Sequence, residues 1–297
     1  MVSCGVVATS HYCSKEDLKR IEKNIKRIGF DKTNFYISKN LFFDKWAGTP
    51  TERLNLFYQS WSSKSPIIFA AKAGSGIIQI VKKIDFSKLK KNKKLFVGYS
   101  NLTLLLNLIY QEVEIIALHG PTGFQNINER SLSALKDAIQ MKNYGVNFSK
   151  KQIINCVEDK IEGVIMGGNL RNLYKGLALG LNLDFRNKIV FIEDKEIDNK
   201  EIKEFKIFNI LISLKQNKYF RPKAILIGGL GKGKNEKFKE MMKYLFPNTP
   251  MVNGLPFGHE LTNITVPIGA KCNIDFEKGK ISFLFPKSEK DYAVNLN

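Results

Sequence analysis

Lys94-Leu95-Phe96-Val97-Gly98-Tyr99-Ser100-Asn101-Leu102-Thr103 is the stretch whose reading decides the fold. Its apolar run, Leu95 to Val97, stops at a glycine, and a leucine-rich helical segment follows. A strand that is apolar on both faces belongs in a parallel sheet covered by helices on both sides. A turn from such a strand into a helix places its residues at the carboxyl edge of the sheet. There the helix N-terminus offers backbone N–H groups and the positive end of its dipole.

Working outward, Pro66–Ala71 and Glu114–Leu118 repeat the apolar run, Val2–Ala8 reads as the first strand, and Phe35–Ser38 reads as the second. Between them lie helical patterns. One starts at Ser14, where Ser14 and Asp17 fit a capping box and Leu18, Ile21, Ile25 and Ile28 fall on one face. Another starts at Thr49-Pro50-Thr51-Glu52, with Thr as N-cap and Pro at the first helical position. Strands separated by helices predict βαβ units and a doubly wound parallel sheet, an α/β fold. After a helix over Arg130–Met141, strands are expected within Gln152–Ile165, and Gly167-Gly168-Asn169 is read as opening a helix. Lys188–Ile192 and Ala224–Ile227 read as strands around a long helix ending near Gln216, and Pro256, Pro267 and Gly269 punctuate short strands beyond. The expected organisation is a parallel-sheet domain over 1–150 and a second, smaller α/β domain over 151–297.

With 297 residues and 43% hydrophobic content, the chain has enough apolar residue for a sizeable core. The formal charge of +19 raises a polyanion partner, but 40 of the 47 basic residues are Lys. Arg, the bidentate reader of phosphates and guanine edges, is scarce, so a solvated lysine surface and no nucleic-acid partner is the reading. Cys4, Cys13, Cys156 and Cys272 form neither a disulfide framework nor a C-x-x-C pair, which fits a reducing, cytoplasmic setting. Cys4, His11 and Cys13 lack zinc spacing, so no metal site is assembled from any local motif. No apolar stretch reaches the roughly 18 residues of a membrane span.

Several residues could carry chemistry. Ser100 stands on the strand-to-helix turn, as a nucleophile over an oxyanion hole would, although serine there is also an ordinary N-cap. Ala73-Gly74-Ser75-Gly76 is a second strand-to-helix turn that lets the backbone approach a ligand. Gly228-Gly229-Leu230-Gly231-Lys232-Gly233-Lys234 has phosphate-loop spacing, but Asn235 stands where the magnesium-binding Ser or Thr belongs. Of the three histidines, His259 follows Pro256-Phe257-Gly258 in a defined loop, and Glu193 ends a strand. His119 is the rival base, beside a strand next to the serine's own.

Taken together, Gly98-Tyr99-Ser100-Asn101-Leu102-Thr103, His119-Gly120-Pro121, Gly167-Gly168-Asn169-Leu170, Phe191-Ile192-Glu193-Asp194 and Gly258-His259 resemble the LD-carboxypeptidase serine peptidase family. That family includes the murein tetrapeptide carboxypeptidases and the microcin C immunity peptidases. The likeness runs from Ala47-Gly48-Thr49 with Glu52-Arg53 to Pro267-Ile268-Gly269. It implies a serine hydrolase with Ser100 as nucleophile, Glu193 as orienting acid and His259 as general base, at the interface of two domains. Backbone N–H groups of Gly74 and Asn101 would form the oxyanion hole, with no cofactor. It further implies a homodimer in the cytoplasm that removes the terminal D-alanine from a murein-derived tetrapeptide. Two departures stand out: Asn101 replaces the family's Asp, and Lys72-Ala73-Gly74-Ser75-Gly76 replaces Arg-Gly-Gly-Tyr-Gly. The second bears on substrate binding near Lys72, because Lys lacks the guanidinium fork. The alternatives are an immunity peptidase cleaving a peptide–nucleotide antibiotic, with Trp46 and Trp61 both outside the second domain, or a non-catalytic nucleotide- or polyanion-binding module using the Gly228–Lys234 loop.

Overall fold

The computed structural model describes residues 2–125, 127–195, 202–230, 236–286 and 291–296. The first sheet has six strands, in the order Val266–Ile268, Ala117–His119, Leu95–Gly98, Ile67–Ala70, Ser3–Val7, Lys32–Tyr36. The five from the N-terminal half run parallel. Along the sheet they stand in the order second, first, third, fourth, fifth, which is a doubly wound arrangement. Its direction of winding reverses between Ser3–Val7 and Ile67–Ala70, so the ligand crevice lies at the carboxyl ends of these strands.

Both faces of this sheet are apolar, and neighbouring residues on each strand divide between two cores. Val6, Phe69 and Val97 pack with Ile21, Ile25 and Ile28 of the Lys15–Ile28 helix and Leu132 and Leu135 of the Glu129–Ile139 helix. Val7, Ile68 and Phe96 pack on the other side with Phe57 and Trp61 of the Pro50–Ser62 helix and Leu104 and Leu105 of the Thr103–Leu108 helix. The helix ends follow the sequence. Ser14 with Asp17 and Thr49 with Glu52 both form complete capping boxes, and Gly29 closes the first helix in the left-handed conformation at φ 118°.

Eight strands form the second sheet: Tyr144–Asn147, Lys280–Leu284, Lys271–Asp275, Lys160–Asn169, Ile189–Glu193, Ala224–Ile227, Met251–Val252, Ile153–Asn155. Lys160–Asn169 through Met251–Val252 run parallel, and the flanking strands are antiparallel. The chain crosses between the sheets. Tyr144–Asn147 already belongs to the second, and Val266–Ile268 returns to the first as an antiparallel edge beside Ala117–His119.

Two local readings change. The second strand is Lys32–Tyr36, upstream of the expected Phe35–Ser38. Gly167-Gly168-Asn169 ends a strand, and the helix starts only at Leu170, with Asn169 as its N-cap. The reason is backbone approach: a Cβ on Gly167 would lie 2.0 Å from the Phe191 carbonyl oxygen. The N-terminal half reaches this strand through Asn107, whose amide donates to Gly167 O at 2.8 Å and accepts from Gly167 N–H at 2.9 Å.

Candidate active site

Ser100 sits on a strained turn. It has φ +59°, a left-handed conformation that a side chain resists, two residues past the end of the Leu95–Gly98 strand. The turn is held from below. Thr103 Oγ1 donates to Ser100 O at 2.7 Å and accepts the Asn169 N–H at 2.9 Å, so the serine turn is fastened to the end of a second-sheet strand. Asn169 lies opposite Glu193 in the neighbouring strand, which brings Ser100 and Glu193 to the same edge.

Glu193 is fully buried, and its Oε2 lies 2.6 Å from His259 Nδ1. Burial pushes the Glu193 carboxyl above its usual range, and the His259 hydrogen bond opposes that shift. His259 arrives from a loop shaped by Gly258, at φ +89°, where a Cβ would lie 2.2 Å from Glu193 Oε2. Asn263 Oδ1 accepts the Gly258 N–H at 3.0 Å and fixes that loop. On the other side of the imidazole lies the Tyr99 ring, with centroids 4.9 Å apart. The neighbour of Ser100 therefore touches His259, although no described hydrogen bond joins the serine hydroxyl to the ring.

Gly74 and Asn101 come together, but not as two free donors. The Gly74 N–H donates to Asn101 Oδ1 at 2.9 Å, so it reaches an oxyanion only by dividing between two acceptors or leaving the amide. Asn101 Nδ2 donates to Ser10 Oγ at 2.6 Å, and Ser10 Oγ also accepts the Gly76 N–H at 2.9 Å. Three strand ends are thus stitched at the crevice. Asn101 is the second residue of the 3₁₀ turn Ser100–Leu102, and the first N–H groups of a helix have no acceptor within it. Lys72 is engaged as well: it pairs with Asp17 and lies 4.3 Å from the Phe124 ring centroid.

Sequence reasoning missed several residues. His11 packs against Gly74, with its ring 2.4 Å from where a Cβ would stand, and burial with Lys45 and Lys72 nearby lowers its pKa. Trp46, bridged to His11, also borders this loop, whereas Trp61 is buried in the core. Arg53 is buried and donates to Gly48 O and Gln79 Oε1, tying the turn after Gly76 to the Pro50–Ser62 helix. The Glu52-Arg53 pair was the only signal for it. Of the Gly228–Lys234 loop, Gly228 and Gly229 buttress the acid: Gly228 N–H donates to Ile192 O at 2.8 Å and Asp194 N–H to Gly229 O at 2.8 Å. Gly231 to Asn235 lie outside the described residues. Among the described residues no His, Cys, Asp and Glu cluster is arranged to hold a metal ion, and no helix is long and apolar enough to cross a membrane.

Residues 4–120 match the LD-carboxypeptidase N-terminal domain and residues 162–274 the LD-carboxypeptidase C-terminal domain. A probable murein peptide carboxypeptidase of Bacillus subtilis is 29% identical over 241 residues, covering 76% of this chain and 74% of that protein. The microcin C7 self-immunity protein MccF of Escherichia coli is 24% identical, over 84% of this chain and 80% of its own. Among solved structures, muramoyltetrapeptide carboxypeptidase from Oxalobacter formigenes superposes with a TM-score of 0.81 at 23% identity, covering 95% of this chain and 98% of that one. MccF in complex with glutamyl sulfamoyl guanosine gives 0.81 at 22% identity, covering 96% of each chain. These likenesses carry the two-domain α/β fold, and the two domain matches, which together span most of the sequence, place the chain in the LD-carboxypeptidase family.

Proposed function

We propose that this protein is a serine LD-carboxypeptidase that removes the terminal D-alanine from murein-derived tetrapeptide, with Ser100, His259 and Glu193 as its triad. The observation that carries the reading is the 2.6 Å contact between His259 Nδ1 and buried Glu193 Oε2. A carboxylate on Nδ1 fixes the imidazole tautomer, leaving Nε2 as the base that takes the proton of the serine hydroxyl. Ser100 Oγ attacks the L-D amide carbonyl, the Asn101 N–H steadies the oxyanion, and His259 returns the proton to the departing D-alanine amine. Water activated by the same imidazole then hydrolyses the acyl-enzyme. Glu193 stabilises the imidazolium in each half-reaction. No cofactor enters this scheme.

The family likeness and the murein carboxypeptidase relatives support the substrate. The same reading makes the enzyme a cytoplasmic homodimer, and four free cysteines, one of them exposed, suit a reducing compartment. The test is release of D-alanine from purified murein tetrapeptide by wild type and by Ser100→Ala, with a peptidyl-sulfamoyl nucleoside as a parallel substrate. Hydrolysis of the tetrapeptide, lost in Ser100→Ala, is expected. Turnover of the nucleoside conjugate alone would move the assignment to an immunity peptidase.

A further inference from the structure

The His119-Gly120-Pro121 motif has no part in the scheme so far, yet it ends a first-sheet strand directly behind Glu193. His119 is fully buried, and neither of its ring nitrogens has a hydrogen-bond partner among the described residues. Glu193 Oε1 is in the same position, buried and without a hydrogen-bond partner, while its Oε2 is held by His259. The two meet: His119 Nε2 lies 3.8 Å from Glu193 Oε1.

A buried carboxylate oxygen without a donor and a buried imidazole without a partner are both costly, and one N–H···O bond would satisfy both. The backbone of His119 is clamped between Gly98 and Val266, and its ring stands edge-on to Phe191 at 4.9 Å. The ring is therefore held in front of the carboxylate, and closing to a normal N···O distance takes a shift of about 1 Å. Burial and the neighbouring His259 drive the His119 pKa down to about 3, so the ring is neutral and has a single N–H to place.

We propose that His119 is a positioning residue for the catalytic acid, donating from Nε2–H to Glu193 Oε1 so that the carboxylate stays ionised and aligned while its other oxygen holds His259. This deepens the proposed triad and rests on it. Other groups also face Glu193, and none of them makes a hydrogen bond to Oε1. Asp194, the residue after it, repels the charge, although Arg171 pairs with Asp194. Tyr99, at the end of the serine strand, has its hydroxyl pushed up to about 12 by burial and by Glu193 itself. His259 is already on Oε2, and the Asn169 side chain also favours the ionised carboxylate but leaves Oε1 without a hydrogen-bond partner.

The experiment is the pH profile of kcat/KM for D-alanine release by wild type, His119→Leu and His119→Gln, with Ser100→Ala and Glu193→Gln as controls. Glutamine places an amide N–H near the position of Nε2 but cannot titrate. Loss of a donor to a buried carboxylate should raise its pKa, so the acid limb of His119→Leu should move up by about one to two pH units. His119→Gln should restore the wild-type limb. A merely structural histidine would lower activity at every pH without moving the limb, and that result, or a glutamine no better than leucine, would overturn the proposal. If the two controls stay active, the triad itself is wrong; if they are dead and the limb does not move, only the role of His119 is. Should His119→Leu fail to fold, long-range ¹H–¹⁵N spectra of histidine-labelled wild type decide, assigned with His119→Gln. A neutral Nε2–H tautomer is expected, and the Nδ1–H tautomer would refute it.

Discussion

Ser100 provides a measurement in which stability and activity move in opposite directions. Its φ of +59° is left-handed, and the turn is held by Thr103 Oγ1, which donates to its carbonyl at 2.7 Å. A Cβ in this conformation costs about 1–2 kcal/mol. Replacing it with glycine removes that cost but adds about 0.5–1 kcal/mol of backbone entropy in the unfolded chain. Ser100→Gly should therefore be more stable than wild type by about 0.5–1 kcal/mol, a rise of about 1–3 °C in Tm for a chain of this size. Ser100→Ala keeps the Cβ, and the hydroxyl it deletes makes no described hydrogen bond, so its stability should stay within about 0.5 kcal/mol of wild type. Both should lose D-alanine release by roughly 10⁴ to 10⁶. Urea unfolding of the three proteins side by side reads the first quantity and single-turnover kinetics the second. A Ser100→Gly protein less stable than Ser100→Ala would refute the strained turn, and near-normal turnover in either would refute the nucleophile.

Glu193→Gln should leave the imidazole without its counter-charge and lower kcat by about 10⁴, with KM little changed; loss of less than about tenfold in steady-state assays would remove Glu193 from the triad. Gly258→Ala should push a methyl group into Glu193 Oε2 at a positive φ, costing about 1–3 kcal/mol by thermal unfolding and lowering activity with it. Acid should weaken the fold through His119. Its folded pKa of about 3 lies below its ordinary 6.5, so between those values the unfolded chain binds a proton that the folded one refuses, and stability falls as pH falls. Between about pH 7.5 and about pH 5 that contribution is about 2 kcal/mol, and His119→Gln should lack it in urea titrations. Glu193, shifted upward, contributes with the opposite sign in both proteins, so the difference between them isolates His119.

What the sequence revealed depended on whether the cause was local. Ala224–Ile227 is a strand over the expected residues, because an apolar run between Pro222 and Gly228 has one way to be buried. The capping boxes at Ser14 and Thr49 are side chains bonding their own helix, and they formed as read. Gly167-Gly168 misled because the glycine signal for a turn is also the signal for close backbone approach, here to Phe191. Val266–Ile268 could not be assigned to the first sheet from its own pattern, since its partner Ala117–His119 lies far away in sequence. The hydrogen bond between Glu193 and His259 spans 66 positions, and only the family resemblance tied those residues to Ser100 in advance. The contact between His119 and Glu193 had no local signal.

Asn101 shows why a departure from the family pattern need not damage the site. Its side chain works in two directions, accepting from Gly74 N–H and donating to Ser10 Oγ, while Ser10 Oγ takes a second donor from Gly76 N–H. With both donors on its oxygen, the Ser10 hydroxyl has a proton left to give elsewhere. An aspartate at this position would still accept from Gly74 but would have no N–H, and Ser10 could then turn its proton toward the carboxylate. The strand ends would stay joined with one hydrogen bond reversed. The exchange of Asp for Asn would therefore preserve the geometry around Ser100 and remove one negative charge from beside the proposed oxyanion site. A fixed anion there would oppose the charge that develops in the transition state, so the neutral amide favours the chemistry proposed for this crevice.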